Sequence, residues 1–537
     1  LVTKDKQGQQ PPAKPGSGGF GGSGTINQGT SANTIDSDEN KKDENYTSTG
    51  DDENALRVKG AKVSLEDIEI NKTGGSTSNT EDGDFYGMNA GLLATDKATV
   101  NMKNAKVKTT AQNGNGVFSY GEGTTVNISD SEIYTTNDNS GGIQTTGGAT
   151  MNAKNLNVKT EGNSSAAIRS DRGGGKVNVD GGEYVSKGYN SPAVYSTADI
   201  TVKNASLKAE NSEALVIEGQ NSITLENTKV EGNMSDDKGS SSDTNVHNVM
   251  IYQSMSGDAE VGKSVFNMKE GTLTNNNGDL IYVTNTTSEI TLENVKIENN
   301  DKDGRLLAVL GNDASHGWGT AGSNGGNVTL KAKDQKLDGK IEVDTISTLN
   351  LTLSGSTEFN GTVNIVENAE KGEEVENNAE VTVEEDAVWN LTGDVKISKL
   401  KNLPPLENLN KNDAAFFKKY YDMEYTIPPE PSNFKFDGKI WVLINRKCYS
   451  ASDAFAAFCK QTGFANLVGE NTGGSGLLAL HPVYLKLPKS GMIIKYDMFY
   501  TLNPDGSNNA ETGTKPDYPV KHALEACLEI IEKSKKN

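Results

Sequence analysis

The chain has no cysteine before Cys448; all three, Cys448, Cys459 and Cys527, fall in its last fifth. No disulfide can therefore staple residues 1–447, and an exported protein with this usage is one that does without disulfides. Arginine is nearly as scarce, with only Arg57, Arg169, Arg172 and Arg305 before residue 400. Together with a formal charge of −21, from 73 acidic and 52 basic side chains, this argues against a nucleic-acid partner, because phosphate binding needs clustered Lys and Arg. No apolar run approaches the length that spans a membrane. Only 33% of residues are hydrophobic and 6% aromatic. A thick globular core is out of reach, but a solenoid, in which each coil covers its neighbour, needs only a thin one.

What the sequence has instead is a repeat. Aligning Gly91-Leu-Leu-Ala, Gly116-Val-Phe-Ser, Gly142-Ile-Gln-Thr, Ala167-Ile-Arg-Ser and Ala193-Val-Tyr-Ser with later lines gives one apolar column: Leu92, Val117, Ile143, Ile168, Val194, Leu215, Met250, Ile281 and Leu307. The spacing is mostly 25 or 26 residues, the fixed period of a solenoid. Two further short stretches per period alternate apolar and polar, for example Val100/Met102 then Ala105/Val107, as half-buried strands do. Between them recurs Asn104, Asp130, Asn155, Gly181, Asn204, Asn227 or Asn294, residue types that tolerate a left-handed corner. Three strands and a corner per coil describe a parallel β-helix. The expected fold is mostly β: a long right-handed parallel β-helix over residues 55–398, then a connector over 399–435 and a small α/β segment over 436–537.

Residues 1–54, with a Gln-Pro-Pro-Ala-Lys-Pro-Gly-Ser-Gly-Gly stretch followed by acidic and polar runs, hold few apolar side chains and read as a flexible tether. No signal peptide is visible, and the chain starts at Leu1, as expected if a targeting segment is removed or lies outside the sequence. Chemistry on the solenoid itself would need clustered carboxylates or a basic residue on one coil face. The densest such group is Asp236, Asp237, Asp243 and His247, in the insertion that interrupts the repeat, and it also reads as a solvated loop. Asn299-Asn-Asp-Lys-Asp-Gly304 begins like a calcium loop but lacks the downstream bidentate Glu, so Gly304 reads as a corner. No metal or cofactor is expected.

Near residue 400 the composition changes. Lys439-Ile-Trp-Val-Leu-Ile-Asn445 is an apolar β-rich run; after a short turn comes Ser450-Ala-Ser-Asp, then Ala454, Phe455, Phe458 and Cys459 at helical spacing, with Gly463 as the stop. A serine at a strand-to-helix turn stands where backbone amides and the positive helix end stabilise developing negative charge. The alternative is that Ser450 or Ser452 only caps the helix.

The solenoid resembles the adhesin-like β-helix proteins of anaerobic gut bacteria and, more distantly, autotransporter passenger domains; Val388-Trp-Asn-Leu-Thr-Gly-Asp-Val followed by Ser398-Lys-Leu is similar to how such solenoids end. That implies an extracellular or cell-surface protein of a bacterium. Past the seam, the order Phe436-Asp-Gly-Lys-Ile-Trp-Val-Leu-Ile-Asn, Tyr449-Ser-Ala-Ser-Asp, Leu467-Val-Gly-Glu-Asn-Thr-Gly-Gly474, Asn503-Pro-Asp-Gly506 and Glu511-Thr-Gly-Thr-Lys-Pro-Asp517 resembles the second half of the serine peptidases of the C-terminal processing and tricorn type. The resemblance implies Ser450 as nucleophile, the Ala451 amide as half of an oxyanion hole, Glu511 as the glutamate of a tricorn-type relay, and a peptide or protein substrate. In processing peptidases a lysine 25 residues after the serine is the general base, and Ser475 stands there. His481 is the histidine nearest the motif and the substitute candidate. The sequence therefore leads to two expectations: a surface protein with a serine-peptidase-like segment that has little or no activity alone, or a non-catalytic adhesin or structural β-helix protein, binding a surface ligand, that carries a peptidase remnant.

Overall fold

A computed structural model of the chain describes residues 26–236, 245–384, 386–401, 438–474, 482–486, 493–497 and 512–534. The chain divides into two compact units at Leu403/Pro404.

The first unit is the parallel β-helix. A typical coil runs through strands Leu92–Thr95, Thr99–Lys103 and Lys106–Thr109, and every strand pairing in the unit is parallel, each coil bonding to the next in the same order. The corner between the second and third strands is left-handed at all the positions read from sequence, from Asn104 (φ 52°) and Asp130 (φ 49°) to Gly181 (φ 76°) and Asn294 (φ 52°). Only there can the chain turn sharply without breaking the ladder on either side. Inside, Leu92, Val117, Ile143, Ile168, Val194 and Leu215 follow each other in register and are sealed from solvent.

One member of the sequence-derived column is wrong by one residue. Leu215 pairs with Val249, and Val249 with Ile281; Met250 points outward, where it packs with Val216, Tyr252, Tyr282 and Ala308 beneath Trp318. Both faces of this strand are apolar, so alternation could not fix its phase across the insertion.

The tether reading over residues 1–54 also needs correction. Residues 1–25 lie outside the described residues, but Thr30–Ser31, Thr34–Ile35, Glu39–Lys42 and Asn45–Ser48 are strands that pair in parallel with the following coil. Ile35 and Tyr46 are buried. Arg57 gathers the carbonyls of Gln28 (2.6 Å), Gly29 (3.1 Å) and Thr30 (2.9 Å), so backbone pairing and one guanidinium hold a coil that has little apolar content. At the other end the expected connector loses its first residues to the solenoid: Lys399–Lys401 pairs with Ala379–Val383. Residues 402–435 lie outside the described residues.

A short helix, α1 (Thr80–Tyr86), is inserted before Leu92 and lies on the outer sheet face. Asn79 caps it by accepting from Glu81 N–H, and Gly87 ends it at φ 79°. Its last carbonyls are taken up by the sheet: Gln144 Nε2 donates to Asp84 O (2.7 Å) and Thr146 Oγ1 to Phe85 O (2.7 Å). Asp84 also pairs with Arg169 (3.2 Å), which holds Asp171 on its other edge (2.7 Å).

Candidate active site

In the second unit, β1 (Trp441–Ile444) lies beside β2 (Asn466–Gly469), which pairs with the short β3 (Tyr518–Pro519), all parallel. Helix α2 (Ala451–Thr462) connects β1 to β2, and α3 (Ala523–Ser534) follows β3. Ile444, Ala456, Cys459, Ala465 and Leu467 form the core between sheet and α2. The small residues of α2 face the sheet, while Phe455, Phe458 and Phe464 are about half exposed and contact one another. The helix ends at Gly463 in the left-handed conformation (φ 67°), as expected.

In a parallel sheet the loops at the carboxyl ends of the strands converge, which is where such folds place their sites. Leaving β1, the chain turns on Asn445, whose carbonyl accepts from Cys448 N–H (2.9 Å). The loop after β2 comes alongside: Gly473 N–H donates to Cys448 O (2.8 Å) and Ser450 N–H to Gly474 O (3.3 Å). Ser450 is the residue before the helix, with φ 54° and ψ −122°. This is a sparsely populated conformation for a residue with a Cβ, held at a cost of about 1–3 kcal/mol by its surroundings. It lifts the side chain out of the helix start: the residue is exposed, its hydroxyl makes no capping bond, and its carbonyl opens the helix by accepting from Ala454 N–H (2.9 Å). Capping therefore does not explain Ser450. Ser452 turns back to the Tyr449 carbonyl (2.6 Å). The Ala451 amide is the first of the helix and has no intrahelical acceptor.

A residue of the serine motif that sequence reasoning passed over fixes this arrangement. Asp453 is fully buried. Its Oδ1 accepts from the hydroxyl of Thr472, and from the hydroxyl (2.9 Å) and amide (3.3 Å) of Thr514. One carboxylate thus ties the first turn of α2 to the loop after β2 and to residues 512–514. Gly513 is needed for that approach: its φ is +68°, and a Cβ there would come within 2.1 Å of Thr472 O. The signal available in sequence was weak, an acidic residue in the first turn of a helix otherwise lined with small and apolar residues.

Glu511, His481 and Ser475 lie outside the described residues. Of the acidic group of the solenoid, Asp237 and Asp243 also lie outside them; Asp236 accepts from Asn277 Nδ2 (2.8 Å), and His247 is buried with its Nδ1 3.1 Å from Asn245 Oδ1 and its ring against Tyr282. Asp301, in the calcium-like stretch, accepts from the amides of Gly278, Asp303 and Gly304, which makes it a corner.

Residues 359–520 match the model of peptidase family S41. The match opens inside the solenoid, since Glu358–Val366 pairs along its length with Lys336–Asp344, and it runs on through Ser450 to the end of β3. A probable CtpA-like serine protease of Staphylococcus haemolyticus is 27% identical over 106 residues, which is 20% of this chain. The chain spans about a fifth of the length of that relative, 21%. No solved structure matches. The C-terminal segment is serine-peptidase-like, joined to a parallel β-helix.

Proposed function

We propose that this chain is an exported bacterial surface protein whose β-helix is the scaffold for a serine-peptidase-like unit, with Ser450 as nucleophile for hydrolysis of peptide bonds in a peptide or unfolded protein. The observation that carries this reading is the backbone of Ser450 at φ 54° and ψ −122°, with no capping bond from its hydroxyl and the Ala451 amide beside it at the helix start. A hydroxyl so placed can attack a carbonyl whose oxygen is drawn towards that amide and the helix end. Attack also needs a base. Ser475 occupies the lysine position directly after Gly474, whose carbonyl accepts from Ser450 N–H, and the two histidines that precede Ser450 in sequence, His247 and His316, belong to the solenoid. The reading therefore includes little or no peptide hydrolysis by this chain alone.

The test compares the parent with Ser450→Ala and Ser475→Lys on an unfolded protein substrate, with a fluorophosphonate probe as the second readout. The parent and Ser450→Ala should be equally inert. Ser475→Lys restores an amine where the family keeps one and should give Ser450-dependent cleavage at least about a hundredfold above the parent, the usual worth of a positioned general base. Serine-dependent cleavage by the parent would show that the base is already present, with His481→Ala the next variant. If Ser475→Lys neither cleaves nor labels, the second reading holds: a non-catalytic β-helix surface protein, which Ser475 itself favours.

A further inference from the structure

Three carboxylates and two guanidiniums meet beside α1, each carboxylate carried by a different element. Asp84 comes from α1, Asp171 directly follows the strand Ile168–Ser170, and Asp258 lies in the segment 253–262 that leaves the strand His247–Tyr252. Arg169 holds Asp84 (3.2 Å) and Asp171 (2.7 Å). Arg172 donates to Asp258 Oδ1 from Nε (3.1 Å) and Nη2 (2.7 Å) and lies over the Phe85 ring of α1, 4.1 Å from its centroid. One arginine thus joins α1 to the sheet and the other joins it to the segment 253–262. With every acid ionised the knot carries one more negative charge than positive, and among the described residues no lysine pairs with any of the three acids. A proton removes the excess. Burial, with Asp84 and Asp258 nearby and against the pull of Arg169, pushes the Asp171 carboxyl up to about 7.

The other titratable groups on this face are Tyr195 from the next coil and, beyond it, Glu218 and Tyr252. Both tyrosines donate to Glu218 (2.5 and 2.9 Å), and burial pushes both phenols above their ordinary range, so they keep their protons through neutral pH. Of the remaining acids on the two covering elements, Asp82 accepts from Asn27 Nδ2 (3.2 Å), and Glu81 and Glu260 are exposed. The helix is also hinged. Gly74 and Gly75 (φ 94°) precede it and Gly87 (φ 79°) ends it, positions where the backbone pivots without side-chain strain. Beneath its end lie Leu93 and Phe118, which with Ala90 form an apolar group separate from the solenoid interior.

We propose that α1 is a pH-operated latch: with the knot protonated it is held on the sheet, and with the knot ionised it lifts, uncovering Leu93, Phe118 and the Arg169 guanidinium. Hydration of the freed carboxylates drives the opening. A carboxyl that holds its proton more strongly in the closed form than in water favours opening as pH rises between the two pKa values, here from about 4 to about 7. The latch does not depend on the peptidase reading.

Hydrogen–deuterium exchange of the full chain at pH 5 and pH 8, with rates corrected for the intrinsic pH dependence of exchange, tests it. Protection of residues 80–88 should fall at least about tenfold at pH 8, while that of the strand Ala149–Thr160 stays constant. Asp171→Asn removes the proton-binding group and should abolish the fall. Asp258→Asn removes one negative charge without touching Arg169 and should diminish it, whereas Glu81→Gln, on the exposed side of α1, should leave it as in the parent. Protection of Ala149–Thr160 at pH 5 shows that each variant is folded; should Asp171→Asn lose it, Asp258→Asn decides alone. Equal protection of α1 at the two pH values in the parent, a parallel fall in Ala149–Thr160, or an undiminished fall in either folded variant would each overturn the proposal.

Discussion

Asp453 is the residue on which the geometry around Ser450 depends, because its single carboxylate joins three segments that the sequence keeps apart. Asp453→Ala leaves the Thr472 hydroxyl and the Thr514 donors buried without their acceptor. The expected cost is about 2–4 kcal/mol for the second unit, with Asp453→Asn costing less because the amide oxygen still accepts; urea unfolding followed by Trp441 fluorescence measures both. Ser450 is the opposite case, held in strain. Ser450→Gly should stabilise the same unit by up to about 1 kcal/mol, since glycine occupies positive φ without penalty, and a lower stability would show that its backbone is not strained. The two residues differ in how visible they were. The strand, turn and helix that present Ser450 are spelled within a dozen consecutive residues. Asp453 stands in the same motif, but its partners are 19 and 61 residues away, and no local pattern announces them.

At the scale of elements, periodicity carried most of the solenoid, because each strand repeats a local alternation and each corner needs a residue that accepts positive φ. Ile168 is sealed from solvent in the interior column. Ile168→Asp should cost several kcal/mol, as a buried unpaired charge does, read as a lower thermal midpoint; an unchanged midpoint would remove Ile168 from the core. Periodicity failed where a strand is apolar on both faces, which moved Met250 for Val249, and it gave no sign of α1, seven residues whose last carbonyls are satisfied by side chains from distant coils. The attachment of α1 carries a pH dependence. Burial pushes the Asp171 carboxyl up to about 7 despite Arg169 alongside, and burial raises Asp84 as well, because one guanidinium serves two carboxylates. A folded-state pKa above the ordinary carboxylate value means that the folded protein holds the proton longer than the unfolded chain. Stability is therefore lost as pH rises from about 4 towards 7 and is not regained above it. Asp171→Asn removes the titrating group, so the thermal midpoint of the variant should fall less than that of the parent between pH 5 and 8; parallel slopes would rule this source out.

The whole molecule is two compact units with different physics. In the solenoid each coil bonds to its neighbours, so stability accumulates from coil to coil. A chain ending at Leu403 should keep the β-type circular dichroism and the main thermal transition of the full protein, and loss of either would mean that the solenoid depends on the C-terminal unit. The first described coil also has a role that its composition hides. Among the described residues its strands pair on one side only. The other edge belongs to a parallel sheet, the kind of surface on which another chain can continue. Along it stand Asp36, Asp38, Glu39, Lys41 and Lys42, and charged side chains on an edge oppose its pairing with another chain. Removing residues 26–54 would expose Leu56, Val58, Val63 and Leu65 behind an open row of amides and carbonyls. Such a chain should lengthen by end-to-end stacking, with a sedimentation coefficient that climbs with concentration while the intact protein's stays constant.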